Sequence, residues 1–139
     1  MAGSDNRTLR FGAIYLWGYA VEMTIKAAFF RTLGFDDEKR LQINPQSVRG
    51  QAATYGLTWQ GRSLHDLKEW TRLLIAVRAS PLIATRMTTS AASELRRRSS
   101  SVAGLWAEWM RYHAVVASSA ELLRMQLQAK WFVDRFDSL

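Results

Sequence analysis

The feature that most constrains this chain is the stretch from Arg7 to Leu33, which has no proline and whose middle would be apolar around nearly the whole circumference of a helix. A helix that is hydrophobic on all sides is buried in a protein core or in a membrane. The apolar run from Phe11 to Val21 is shorter than the roughly 18 residues that a membrane span needs. No small-x-small cleavage site follows it, as a secretory signal would require. The stretch therefore predicts a long, buried, central helix, capped by Asp5 or Asn6 and ended by Gly34.

Four further segments carry helical signals. A short helix is expected from Pro45 to Tyr55, because proline suits the first helical position and Gly56 can end it. The next helix should begin at Ser63 and end before Pro81. A third is expected from Ser90 to about Tyr112. The last should open at Ser118, which with Glu121 has the spacing of a capping box.

No segment alternates apolar and polar residues as a strand would, and the chain has the length of one domain. The prediction is a single all-α domain spanning residues 1–139, an up-and-down four-helix bundle with a short extra helix in the first long connection. Gly12 and Gly18 lack side chains on the first helix, so another helix can approach closely there.

The chain has no cysteine, which excludes disulfides, zinc thiolates and a cysteine nucleophile. A cytoplasmic location without membrane insertion is the expectation. The net charge of +7 permits contact with nucleic acid, although excess arginine is also a common means of staying soluble. The sharpest basic cluster, Arg96 to Arg98, fans over about 200° of a helix. A solvated face is one interpretation of this patch, and phosphate contact by one or two of the arginines is the other.

Several charged residues fall in apolar surroundings. Glu22 and Lys26 are four residues apart on one helix face, where an unpaired buried charge would be costly. They are predicted to join a partly buried structural network, and Lys26 is also a candidate ligand-binding residue. The predicted network consists of Glu22, Lys26, Asp66 and Tyr112.

Two further groups are candidates for anchoring or for ligand binding. His65 precedes Asp66 at the start of the second long helix, where it either anchors the helix or contacts a phosphate. Arg111 and His113 end the third helix, where cations are favoured by the helix dipole. They are also candidates for binding an anion in a cleft. No cofactor, metal ligand set or catalytic residue is predicted.

Three short motifs follow one another along the chain. They are Tyr15 to Glu22 followed by Ile25-Lys26-Ala27, then His65-Asp66-Leu67, and finally Trp109 to Tyr112. In order and spacing they resemble the HEPN family. The resemblance implies a helical bundle that pairs as a two-fold dimer. It also implies one of two functions: a ribonuclease of toxin–antitoxin, CRISPR-linked or antiviral systems, or a non-catalytic protein that binds nucleotides or a partner.

The ribonucleases of that family carry an arginine, four to six intervening residues and a histidine. The chain has two histidines. The positions at that spacing before His65 hold Thr58, Trp59 and Gln60. Those before His113 hold Trp106, Ala107 and Glu108. None is arginine, so the family's nuclease activity does not carry over.

Three hypotheses follow. The first is a non-catalytic HEPN-like homodimer of a prokaryotic defence or toxin–antitoxin setting that binds nucleotide or RNA through Lys26, His65, Arg111 and His113. The second is a structural subunit that dimerises, or docks an operon partner protein, through an aromatic surface supplied by its six Trp and six Phe. The third is a ribonuclease with relocated catalytic residues.

Overall fold

The computed structural model describes residues 2–35, 45–84, 86–107, 110 and 117–139. Within these residues the protein is helical and has no strand, which confirms the all-α class. A short 3-10 helix at Phe136–Ser138 follows the last α-helix. The α-helices are α1 (Ala2–Thr32), α2 (Pro45–Thr54), α3 (Leu67–Ala79), α4 (Thr89–Leu105) and α5 (Ser119–Asp134).

Helix α1 is the central element and packs against α3, α4 and α5. Its inward residues, such as Val21, Ile25 and Phe29, are fully buried. The helix begins at Ala2, so the prediction that Asp5 or Asn6 caps it is wrong: both lie inside the helix. Its end is as predicted, because Gly34 takes the left-handed conformation at φ +83° that ends a helix.

Helix α2 occupies the predicted short helix and is followed by Gly56 at φ +70°. Helix α3 ends at Ala79, ahead of Pro81, as predicted. Its predicted start is wrong, because Asp66 and not Ser63 is the N-cap: the Asp66 carboxylate accepts a hydrogen bond from the Glu69 N–H at 3.1 Å. Ser63 instead accepts from the His65 N–H in the preceding turn.

Helix α5 opens with the predicted capping box, and both of its hydrogen bonds are present between Ser118 and Glu121. Helix α4 is capped by Thr88 and ends at Leu105, earlier than the predicted Tyr112. Trp106 leaves the helix in an extended conformation. The predictions for Trp109, Arg111, Tyr112 and His113 lie outside the described residues.

The core is rich in aromatic rings. Trp70 is fully buried at its centre and contacts the rings of Phe29, Phe30 and Trp59. Its indole N–H donates to the Leu64 carbonyl oxygen at 2.9 Å. Val133 of α5 lies outside this core, with an exposed fraction of 52%.

The two glycines of α1 differ in their surroundings. A Cβ atom on Gly18 would lie 2.1 Å from Cγ of Trp106, so the absence of a side chain lets this indole pack onto the helix. Around Gly12 no atom lies within 4 Å of such a Cβ atom. The predicted close approach therefore occurs at Gly18 alone. Within the described residues, no helix has the length and apolarity to cross a membrane.

Candidate functional site

A buried ion network joins α1 to the turn that precedes α3. Glu22 is fully buried, and Lys26, one turn further along α1, is only 5% exposed. The Lys26 ammonium donates to Oε1 of Glu22. Nδ1 of His65 lies 3.0 Å from Oε1 and 3.2 Å from Oε2 of the same carboxylate. Three of the residues singled out in the sequence therefore meet at one carboxylate.

The surroundings of the network explain why both charges are retained inside the protein. The Lys26 ammonium lies 5.2 Å from the ring centre of Trp70, a distance at which the ring face attracts a cation. A buried carboxylate is tolerated when cationic and hydrogen-bonding partners surround it, and Glu22 has Lys26 and His65. The His65 side chain is 33% exposed, so the network extends from the core to the surface at this residue.

Asp66 lies beside the network and holds the turn. Its two carboxylate oxygens accept from the backbone N–H groups of Glu69 and Arg62. Asp66 therefore fixes the backbone on both sides of His65.

A second polar cluster fixes the segment before this turn. Glu69 is 6% exposed, and its carboxylate accepts from the Gln60 N–H at 2.8 Å and from Arg72. Burial alone would raise the pKa of Glu69, but the hydrogen bonds from Arg72 and Gln60 outweigh it and hold the pKa below its usual value. Arg72 also donates to the Thr58 carbonyl oxygen at 2.6 Å. Residues 58–61 are thereby tied to the first turn of α3.

A cleft of about 410 Å³ opens beside His65. We call it the His65 cleft. One wall carries Arg62, His65 and Lys68. The end of α4 contributes Ala103, Trp106 and Ala107 to the lining. Arg62 and Lys68 are exposed, so their cationic groups are accessible to a ligand.

A second cavity, of about 320 Å³, lies on the other side of Trp106. We call it the apolar cavity, because the side chains of its described lining residues are apolar except for that of Glu121. Phe11 and Ile14 of α1 contribute to it, together with Met110. Trp106 is 4% exposed, and its indole N–H has no hydrogen-bond partner within the part of the chain that the structure describes.

The predicted basic patch lies on α4, and its arginines differ in their contacts. Arg97 and Arg98 both bind Glu94, and their hydrogen bonds, that of Arg97 first, lower the pKa of Glu94 to about 2. Arg98 also lies over the ring of Trp131. Arg96 is exposed. Two of the three guanidinium groups thus have an acidic partner on their own helix.

The candidates from the sequence are therefore distributed over distinct places. Glu22, Lys26 and His65 form one network and Asp66 caps the adjacent helix, while Arg111, Tyr112 and His113 fall outside the described residues. Sequence reasoning passed over Arg62 and Lys68. Their spacing of three residues on either side of His65 is the signal that would have placed them with it.

Among the described residues, no three His, Asp or Glu side chains are grouped as ligands for a metal ion. No protein-family model matches the chain, and neither a curated protein nor a solved structure matches it significantly.

Proposed function

We propose that this protein is a binding module for a phosphate-bearing ligand, a nucleotide or RNA, and that the His65 cleft is its binding site. The supporting observation is the charge of the lining. Arg62 and Lys68 flank His65, and Asp66, the acidic side chain among the described lining residues, already accepts hydrogen bonds from two backbone N–H groups. Phosphate oxygens are strong acceptors for such cations.

The size of the cleft agrees with this proposal. Ligand-binding pockets commonly enclose roughly 300–1,000 Å³, and the His65 cleft, at about 410 Å³, suits a ligand of the size of one nucleotide. The ring of His65 is oriented by Glu22, which lies in the core. A wall that is anchored in this way loses little conformational freedom when a ligand binds.

The proposed architecture is HEPN-like. What supports it is the packing order, in which α1 contacts α3 and α5, and α4 contacts the same two helices. A four-helix bundle has neighbours in that order, with α2 as the addition. The prokaryotic defence or toxin–antitoxin setting is what the family resemblance implies, and the cytoplasmic location is the expectation from the absence of cysteine. Since no arginine has the spacing of the family's ribonucleases, the proposed activity is binding without catalysis.

Fluorescence anisotropy with a labelled single-stranded RNA tests the site. Binding to phosphates releases counterions, so the affinity should fall as salt rises. The double variant Arg62→Ala/Lys68→Ala should bind at least about ten-fold more weakly and should lower the slope of log K against log salt by about 1.4, since each single-strand phosphate contact contributes about 0.7. Lys130→Ala is the control, because Lys130 is an exposed lysine of α5 that pairs with Asp134.

Two results would contradict the proposal. One is an absence of binding by RNA and by mononucleotides at low salt. The other is a loss of affinity in Lys130→Ala as large as in the double variant, which would mean that net charge alone attracts the RNA.

A second candidate function, as a dimerising or interaction subunit, is favoured by the outer face of α1. Leu9, Leu16 and Tyr19 are 70%, 66% and 43% exposed. Their spacing of seven and three residues places them in one stripe along the helix. Exposed apolar stripes of this kind mark interaction surfaces, and either a second copy of the chain or an operon partner protein would bury this one.

Size-exclusion chromatography with light scattering tests dimerisation. We expect a dimer that Leu16→Glu converts to a monomer, because a charge in the centre of an apolar interface would be desolvated without a partner. Leu82→Glu is the matched control, since Leu82 is 74% exposed and lies outside α1. A wild-type chain that stays monomeric at high concentration would contradict the homodimer. A chain that also co-purifies with no partner protein would contradict the role as an interaction subunit.

A further inference from the structure

The His65 cleft and the apolar cavity share part of their lining. Ala103, Trp106 and Ala107 line both. The two spaces therefore adjoin at the end of α4, where Trp106 lines both. One side carries the cations Arg62 and Lys68, and the other is walled by apolar side chains.

From this juxtaposition we infer a two-part ligand site, in which the His65 cleft holds a phosphate and the apolar cavity holds the nucleobase attached to the same ribose. The inference rests on the proposed function and adds that the apolar cavity binds the base of the ligand. A flat, largely apolar base suits a space lined by Phe11, Ile14 and Met110.

The apolar cavity also supplies an acceptor for the edge of a base. Glu121 is the acidic residue of its lining within the described part of the chain, and the Ser118 N–H donates to Oε2 of its carboxylate at 2.7 Å. This backbone hydrogen bond lowers the pKa of Glu121, so the carboxylate is ionised at neutral pH. An ionised carboxylate accepts well from two adjacent N–H groups. Guanine carries such a pair, which makes GMP the appropriate probe.

Gly104 offers a way to fill the apolar cavity without disturbing the fold. It lines this cavity and not the His65 cleft, and a Cβ atom built on it meets no atom within 4 Å. Gly104 lies in α4, where replacing glycine by a better helix former favours the helix. Gly104→Leu should therefore block the base site while leaving the folded protein intact.

Gly50→Leu is the matched control. Gly50 is a helical glycine of α2 that is exposed, and its Cβ position is likewise free of atoms within 4 Å. It lines neither cavity.

Isothermal titration at low salt with GMP and with ribose 5-phosphate tests the inference. We expect GMP to bind about ten-fold or more tightly than ribose 5-phosphate, because burial of a base removes on the order of 100 Å² of largely apolar surface from water. Gly104→Leu should lower the affinity for GMP by about the same factor and leave that for ribose 5-phosphate unchanged. Gly50→Leu should behave as the wild type.

The outcomes separate the two proposals. Equal affinities for GMP and ribose 5-phosphate, or a Gly104→Leu variant that binds GMP as well as the wild type does, would overturn the base site and leave the phosphate site standing. An absence of binding by GMP, by ribose 5-phosphate and by RNA would overturn the proposed function itself. A short single-stranded RNA that competes with GMP would identify the nucleotide as part of RNA, and GMP binding without such competition would identify a free nucleotide. Both results support the base site.

Discussion

The buried pair of Glu22 and Lys26 yields the sharpest prediction about stability. Replacing Glu22 by leucine would leave the ammonium of Lys26, 5% exposed, with the ring of Trp70 in place of a carboxylate. Removing one partner of a buried ion pair typically costs about 3–5 kcal/mol. That is a large share of the roughly 5–15 kcal/mol by which domains are stable. At about 2–4 °C for each kcal/mol, the melting temperature should fall by about 10 °C.

The reverse variant should be milder, because the network is asymmetric. In Lys26→Met the buried carboxylate of Glu22 keeps His65 as a partner at 3.0 Å. We expect this variant to lose less than Glu22→Leu does, about 2–3 kcal/mol. Urea unfolding followed by circular dichroism measures both losses, with the slope m compared between variants so that midpoints can be converted to free energies.

The chain contains a matched control for this experiment. Lys130 and Asp134 form an ion pair with the same spacing of four residues, but their side chains are 71% and 49% exposed. Exposed pairs of this kind contribute about 0.3–0.5 kcal/mol, so Lys130→Met should change little. If Glu22→Leu lowers the free energy of unfolding by less than about 1 kcal/mol, the Glu22 carboxylate does not stabilise the buried ammonium of Lys26, and the prediction is wrong.

Three further predictions follow from local geometry. Gly18→Ala should destabilise the fold by about 1–3 kcal/mol, because the added methyl group would overpack against Trp106. Gly12→Ala, in open space on the same helix, should instead stabilise the fold by about 0.5–1 kcal/mol, and thermal unfolding of both variants measures the difference. The pKa of Glu69 in the folded protein lies below its ordinary value of 4.5, so its stabilising contribution is present above about pH 4.5 and is lost as the pH falls below it. Acid titration should therefore show a shallower loss of stability in Glu69→Gln than in the wild type. Ser118→Ala should cost about 0.5–2 kcal/mol in urea unfolding, since it removes the capping hydrogen bond to the Glu121 N–H; a cost near zero would show that the capping box does not stabilise α5.

The features that were predicted correctly are those determined by residues close together in the sequence. The burial of the core-facing side of α1 follows from its composition, although Leu9, Leu16 and Tyr19 on its outer face are exposed. The start of α5 follows from the spacing of Ser118 and Glu121. The start of α3 was wrong because two capping residues, Ser63 and Asp66, compete within one turn. Both accept a backbone N–H there, and only Asp66 leads into the helix.

The errors at the end of α4 and in the candidate site have a different cause. The periodicity of α4 gives no reason to stop at Leu105, and the packing of Trp106 against Gly18 is a contact between distant parts of the chain. The contact between Glu22 and His65 likewise spans 43 residues. The predicted network contained Asp66, whereas the structure has His65 at the Glu22 carboxylate and Asp66 bound to backbone N–H groups.

Helix α1 links the two cavities to the buried network through residues four apart on one face. Gly18 receives Trp106, which lines both cavities, and Glu22 holds His65, which lines the cleft. If the network served stability alone, an apolar pair of similar volume would serve as well or better, since such replacements are often neutral or stabilising by about 1–4 kcal/mol. The double variant Glu22→Leu/Lys26→Met should therefore recover the stability that each single variant loses, yet bind RNA more weakly, because His65 has lost its anchor. A double variant that is stable and binds as tightly as the wild type would assign the network to folding and leave His65 without a role in the cleft.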